Sequence, residues 1–230
     1  MGRNTVKKMT AIASFGAIAG ILYAFLKFSL PFFPSFLEIK FCDVPALIAG
    51  FAYGPLVGAL VQVVKILLKL LLVGTSTAYV GELSDLVLGI IIVLPASFIY
   101  LKKRTLKGAI LGMGVSFITH LVFACVINNY IMIPFYIKLF FNGDETILLK
   151  VCQAAMPSIK EVGWPLTLAA ILPFNALKDI IVLTIVFFVY KPLVKVINST
   201  AKRMHKKKEK VKKIKNKSTK IRKLNIIIIK

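Results

Sequence analysis

The chain has 230 residues, 58% of them hydrophobic, and carries 31 Lys and Arg against 9 Asp and Glu, a formal net charge of +22. Its mean hydropathy is +0.83, and nearly all of the charge sits at the ends and in a few short connections, which excludes a soluble globular domain and makes it an integral membrane protein. Cys42, Cys125 and Cys152 have no paired spacing, and His120 and His205 stand far from any ligand-like cluster, so neither a disulfide framework nor a metal site is expected.

Arg3, Lys7 and Lys8 precede an apolar run, Met9–Leu30, that exceeds a secretory signal core and is followed by no small-residue cleavage site; it reads as a retained first helix. Within it Ala13 with Ala17 and Gly16 with Gly20 form overlapping small-xxx-small patterns that let another helix approach closely. The second segment, Val44–Tyr53, is shorter than the ~20 residues of a perpendicular span, and Gly54-Pro55 separates it from the third, Pro55–Val73. Lys65 and Lys69 share a face of that third segment, where long stems are expected to carry their ammonium groups to an interface.

A hydroxyl-rich loop, Gly74-Thr-Ser-Thr-Ala-Tyr-Val-Gly81, opens the fourth segment, Gly81–Leu101. Glu82 and Asp85 lie in its first turns on one face, where a carboxylate either complements the helix dipole or serves a site, one approaching Lys178 while the other meets a ligand hydroxyl. The fifth segment, Gly108–Tyr136, buries two consecutive amides, Asn128 and Asn129, followed by Tyr130 and Pro134. Such amides are either glue between helices or contacts in a water-filled cavity, and the aromatic ring and proline beside them suit a planar heterocycle.

The sixth segment, Leu166–Tyr190, is the most informative, because Pro173-Phe-Asn175-Ala-Leu-Lys178-Asp179 puts an amide, an ammonium and a carboxylate at membrane depth. A charge there costs roughly 2.5–3.5 kcal/mol on insertion scales, so these groups face a cavity or partner rather than lipid. Asn175 and Lys178 share a helix face, which predicts that they act on one polar ligand.

Six segments put both termini on one side, together with Lys102-Lys103-Arg104 and Lys107, and the positive-inside rule makes that side cytoplasmic. The opposite face receives Pro31–Asp43, Gly74–Val80 and Ile137–Pro165, long enough to cover a ligand. The expectation is an all-α, six-transmembrane-helix bundle over 1–190 in the plasma membrane, with 191–230 a flexible basic tail drawn to anionic lipid headgroups rather than nucleic acid. There is no nucleotide-cradling Gly-x-x-x-x-Gly-Lys-Ser/Thr loop, Gly-x-Ser-x-Gly elbow or His-Glu-x-x-His helix, so binding fits better than turnover. With no internal repeat, a solute carrier of this kind needs partners.

The stretch Phe36-Leu-Glu-Ile-Lys-Phe-Cys-Asp43-Val-Pro-Ala-Leu-Ile-Ala-Gly-Phe-Ala-Tyr-Gly54-Pro55 resembles the signature of the substrate-binding S components of energy-coupling factor (ECF) vitamin transporters, above all their riboflavin-specific members. Val80-Gly-Glu-Leu-Ser-Asp85, Asn129-Tyr-Ile-Met-Ile-Pro134-Phe-Tyr136 and Pro173-Phe-Asn175-Ala-Leu-Lys178 follow in the same order. At Ser84, Asp85 and Leu86 the chain departs from the family's Gly-Glu-Leu-Ala-Asn-Phe-like run, so the resemblance assigns Asp85 no role.

The resemblance implies a non-enzymatic subunit that binds riboflavin as transported ligand, without a cofactor, and works with a transmembrane coupling subunit and two ATPases. The first helix, with Ala13, Gly16, Ala17 and Gly20, would be the docking face. The flavin pyrimidine edge presents carbonyl, N–H and carbonyl in a row, which Asn129, Asn175 and Lys178 are expected to meet, with Asn128 nearby and Glu82 toward the ribityl hydroxyls. The alternatives are an S component for another vitamin such as thiamine, or a membrane enzyme acting on lipid-linked or phosphorylated substrates through Glu82, Asp85 and Lys178.

Overall fold

The computed structural model describes residues 3–190 and Pro192, so the expected basic tail lies, apart from that proline, outside the described residues. Helix α1 (Arg3–Phe25) leads into a hairpin of β1 (Lys27–Ser29) and β2 (Glu38–Lys40), followed by α2 (Asp43–Tyr53), α3 (Pro55–Val73) and α4 (Val80–Lys102). Then come α5 (Leu106–Phe140), α6 (Glu145–Ala155) and α7 (Trp164–Tyr190). Five of these helices are long and apolar enough to cross a membrane, and the expected six are completed by the short apolar α2.

Two boundaries differ from expectation. The first helix stops at Phe25 instead of Leu30, because Lys27, Phe28 and Ser29 pair antiparallel with Lys40, Ile39 and Glu38, and a Lys27–Glu38 ion pair of 2.8 Å closes the hairpin. Pro31 and Pro34 then keep the connection out of helical geometry. The fifth helix runs on to Phe140, and the long connection after it is not a bare loop: Asp144 caps α6 by accepting from the Thr146 backbone N–H at 2.8 Å. The Thr146 hydroxyl also donates to Asp144, and this bond foremost, with the backbone one, holds the Asp144 carboxyl below its usual range.

At 1.5 Å per residue α2 is only about 16 Å long, shorter than a lipid-facing span, yet it runs inside the bundle from Asp43 at the cavity to Phe51 beside Tyr100 and Tyr190, with Ala46, Leu47 and Ala49 fully buried. Gly54 makes the turn out of it with φ of 104°, and Pro55 opens α3 where a missing N–H costs nothing. Against α3 packs α1, and here the small residues act within the chain: a Cβ on Gly16 would lie 2.4 Å from Val64 Cγ1, and one on Gly20 2.7 Å from Leu68 Cβ. Gly16 and Gly20, expected on a docking face, instead receive Val64 and Leu68 of the same chain, whereas on the same side of α1 Ala13 is exposed and Ala17 half-buried.

Both helices that carry the sequence's amides contain a π-turn, Asn128–Met132 in α5 and Thr167–Ile171 in α7. Each ends two residues before a proline, Pro134 or Pro173, whose missing N–H leaves a carbonyl free on the preceding turn and loosens the register there. The Thr167 hydroxyl donates to Asn129 Oδ1 at 3.2 Å and ties the two turns together.

At one end of the bundle Phe51, Tyr100 and Tyr190 stack with ring centroids 4.9–5.9 Å apart. At the other, Leu148 and Cys152 of α6 join Ile39, Ile133, Leu166 and Phe174 in an apolar cluster that seats α6 against the hairpin, α5 and α7. Burial pushes the Cys152 thiol up to about 11, so it stays protonated and packs as an apolar group; Cys42 and Cys125 are likewise free and buried.

Candidate functional site

Between the hairpin, α6 and the membrane helices lies a cavity of about 710 Å³, within the size range of small-molecule sites. Tyr23 of α1, Asp43 of α2, Lys65 and Lys69 of α3, Glu82 and Asp85 of α4, Asn128 of α5 and Asn175 and Lys178 of α7 all line it. Leu148 and Val151 of α6 cover it, and Phe36 of the hairpin connection meets Tyr136 of α5 with centroids 6.4 Å apart at the rim.

The cavity's charges are paired with one another. Lys65 Nζ lies 3.0 Å from Asp43 Oδ1, which also accepts from Gln62 Nε2 at 2.9 Å. Lys40 of β2 lies 2.8 Å from Asp85 Oδ2, to which the Tyr23 hydroxyl also donates. Burial alone would lower the pKa of Lys40, but the Asp85 carboxylate more than offsets this and holds it above its usual value. Lys69 pairs with Glu82 and donates to Gly74 O at 2.9 Å, while the hydroxyls of Thr75 and Thr77 donate to the other Glu82 oxygen at 3.0 and 2.7 Å. Lys40, Lys65 and Lys69 all approach the Tyr23 ring, at 4.7, 5.4 and 5.7 Å from its centroid.

This network corrects two expectations. Lys65 and Lys69 do not snorkel to an interface: their side chains are 1% and 13% exposed, because Asp43 and Glu82 draw both ammonium groups inward. Neither Glu82 nor Asp85 reaches Lys178, since each is engaged by a nearer lysine. The hydroxyl-rich loop does meet Glu82, so that carboxylate braces the loop as well as lining the cavity.

Lys178 differs from these. It makes no hydrogen bond among the described residues, and its nearest carboxylate, Asp179 Oδ1, lies 4.0 Å away while the other Asp179 oxygen is taken by His120 at 2.6 Å. The Nδ2 of Asn175 donates to Ile171 O at 2.9 Å, and that of Asn128 to Ala124 O at 2.8 Å, leaving both amide oxygens available as acceptors. The structure thus brings Asn128, Asn175, Lys178 and Glu82 to one cavity. It does not bring Asn129, which points about 100° away from Asn128 and binds Thr167 outside the cavity wall. Asp43, Lys40 and the His120–Asp179 pair were not singled out from the sequence as one site, because their partners lie 22 to 59 residues distant in the chain.

A covered cavity lined by polar groups inside a bundle of membrane-length helices defines a membrane protein built to hold a small molecule. The family model for the substrate-specific component of ECF transporters matches residues 7–190, and the chain belongs to that family. It is 31% identical over 187 residues to the riboflavin transporter RibU of Staphylococcus aureus (strain TCH60), covering 81% of this chain and 90% of the relative. It is 29% identical over 183 residues to the riboflavin transporter FmnP of Bacillus subtilis (strain 168), covering 79% and 88%. A solved structure of the S component of a bacterial ECF transporter superposes with a TM-score of 0.63 at 28% identity, covering 84% of this chain and 98% of that one. The family expectation and the all-helical membrane architecture read from the sequence are both borne out, and the family is one of transport subunits rather than enzymes.

Proposed function

We propose that this chain captures riboflavin in the membrane and delivers it for ATP-driven uptake by a coupling subunit and two ATPase subunits. The observation that carries the reading is Lys178, an ammonium on the cavity wall with no hydrogen-bond partner among the described residues, one helical turn from Asn175. Lys178 donates to the carbonyl oxygens of the flavin's pyrimidine edge, and the amides of Asn175 and Asn128 complete that edge. Glu82, Lys69 and the Thr75–Thr77 hydroxyls face the ribityl chain. Asn129 braces the paired π-turns rather than touching the ligand. A cationic vitamin such as thiamine finds no spare carboxylate among the described cavity residues, since Glu38, Asp43, Glu82 and Asp85 are each matched by a lysine.

The cavity end faces the exterior and the basic Lys102–Lys107 connection faces the cytoplasm, which puts both termini inside. The exposed Ala13 and half-buried Ala17 of α1 leave room for a coupling helix, and the basic tail adds attraction to anionic lipid.

The purified protein, titrated separately with riboflavin and thiamine and followed by flavin fluorescence and calorimetry, is expected to saturate with riboflavin at one per chain and to ignore thiamine. Saturation by thiamine instead, or release of an altered product from riboflavin, contradicts the reading.

A further inference from the structure

His120 sits in the middle of α5 at 1% exposure, and Asp179 of α7 is fully buried. The imidazole Nδ1 and Asp179 Oδ2 are 2.6 Å apart. A carboxylate only accepts, so Nδ1 is the donor, and the tautomer whose single ring proton sits there leaves Nε2 as an acceptor. Nε2 makes no hydrogen bond among the described residues, yet the buried atoms left without a partner are Gln62 Oε1, Ser97 Oγ and Asp179 Oδ1, and Nε2 is not one of them. The His120 ring is part of the cavity wall, so this acceptor opens into the cavity.

A buried polar bridge between α5 and α7 accounts for the Nδ1 bond alone, and a side chain ending in a single amide would supply it. What the bridge leaves unexplained is a second, oriented nitrogen on a residue of the same cavity wall as Lys178. Lysine is donor-only, so Lys178 matches carbonyl oxygens, while an imide N–H between two carbonyls needs an acceptor.

We propose that His120 is a specificity-determining residue: its Nε2, aimed by Asp179, accepts a hydrogen bond from the imide N–H of the bound ligand. Asp179 is the positioning residue that fixes the tautomer, and Lys178 is the adjacent donor. The inference deepens the riboflavin reading and rests on it. A competing acceptor is Asn175 Oδ1, left free because its Nδ2 is committed to Ile171 O.

The test is a cycle between ligand and protein, using riboflavin and N3-methylriboflavin, which lacks the imide hydrogen. His120→Asn keeps a group able to bond Asp179 but withdraws the atom facing the ligand. The paired change His120→Leu with Asp179→Leu removes both partners of the buried bond, at the expense of the carboxylate 4.0 Å from Lys178. The wild-type protein is expected to prefer riboflavin over the methylated analogue by tenfold or more, on the order of one lost hydrogen bond to a buried acceptor. Both variants are expected to bind riboflavin about tenfold more weakly and to lose most of that preference, while His120→Gln, which reaches as far as Nε2, retains it. A preference as large in His120→Asn and in the paired variant as in the wild type assigns the imide to Asn175 and overturns the proposal while leaving the riboflavin reading intact. Absence of riboflavin binding by the wild type overturns both.

Discussion

Replacing Lys178 with Met and Asn175 with Ala is expected to weaken riboflavin binding by about 100-fold or more while the protein still folds. Hydrogen bonds to a charged group contribute about 1.5–3 kcal/mol and a neutral amide about 1, which together correspond to roughly 10² to 10³ in affinity. The fold tolerates the change because Lys178 makes no hydrogen bond within the described residues, its neighbour Asp179 at 4.0 Å keeps the 2.6 Å bond to His120, and Asn175 makes one bond, to its own helix at Ile171 O. An unmet edge of a buried polar ligand cannot turn to water, so the loss falls on binding rather than on stability. Fluorescence titration reads the affinity and a thermal melt in detergent reads the fold. Unaltered affinity in a well-folded double variant removes these residues from the site.

The largest effect on stability is expected at Lys65 and Asp43. Lys65→Met leaves the Asp43 carboxylate, 8% exposed, with Gln62 as its remaining partner, and breaking a buried pair on one side costs about 3–5 kcal/mol. Asp43→Leu strands the ammonium of Lys65 in the same way at 1% exposure. The double variant Asp43→Leu with Lys65→Met removes both charges and is expected to be more stable than either single one, because replacing a whole buried pair by apolar groups is often close to neutral. The order of the three unfolding midpoints in detergent checks this. Single variants as stable as the wild type show that the pair does not hold α2 against α3.

What the sequence made legible was what costs free energy locally. Lys178 and Asn175 stand out because a polar group at membrane depth is expensive anywhere, and Gly54-Pro55 marks the end of the short α2 through backbone chemistry that needs no tertiary partner. Whatever depended on a distant partner was read less well. The helix period separates Asn128 from Asn129 by about 100°, but which of them faces the cavity is set by the π-turn and by Thr167, 38 residues on. Lys65 and Lys69 were expected at an interface because snorkelling is the default for an unpaired lysine, and nothing near them in the chain announces Asp43 or Glu82 as partners. The small residues of α1 signalled a close approach correctly, but not that Gly16 and Gly20 receive Val64 and Leu68 of the same chain. His120 and Asp179 carried a signal that went unused: two titratable groups on separate apolar segments each require a buried partner, and they are each other's.

The central claim, that polar groups from α5 and α7 enclose one flavin, is tested most directly by identifying the small molecule that purified protein from riboflavin-supplied cells releases when it is denatured. The account predicts riboflavin in a ratio near one per chain, and its absence from the Asn175→Ala, Lys178→Met protein prepared identically. Release of a different vitamin, or of riboflavin in equal amount from both proteins, contradicts it.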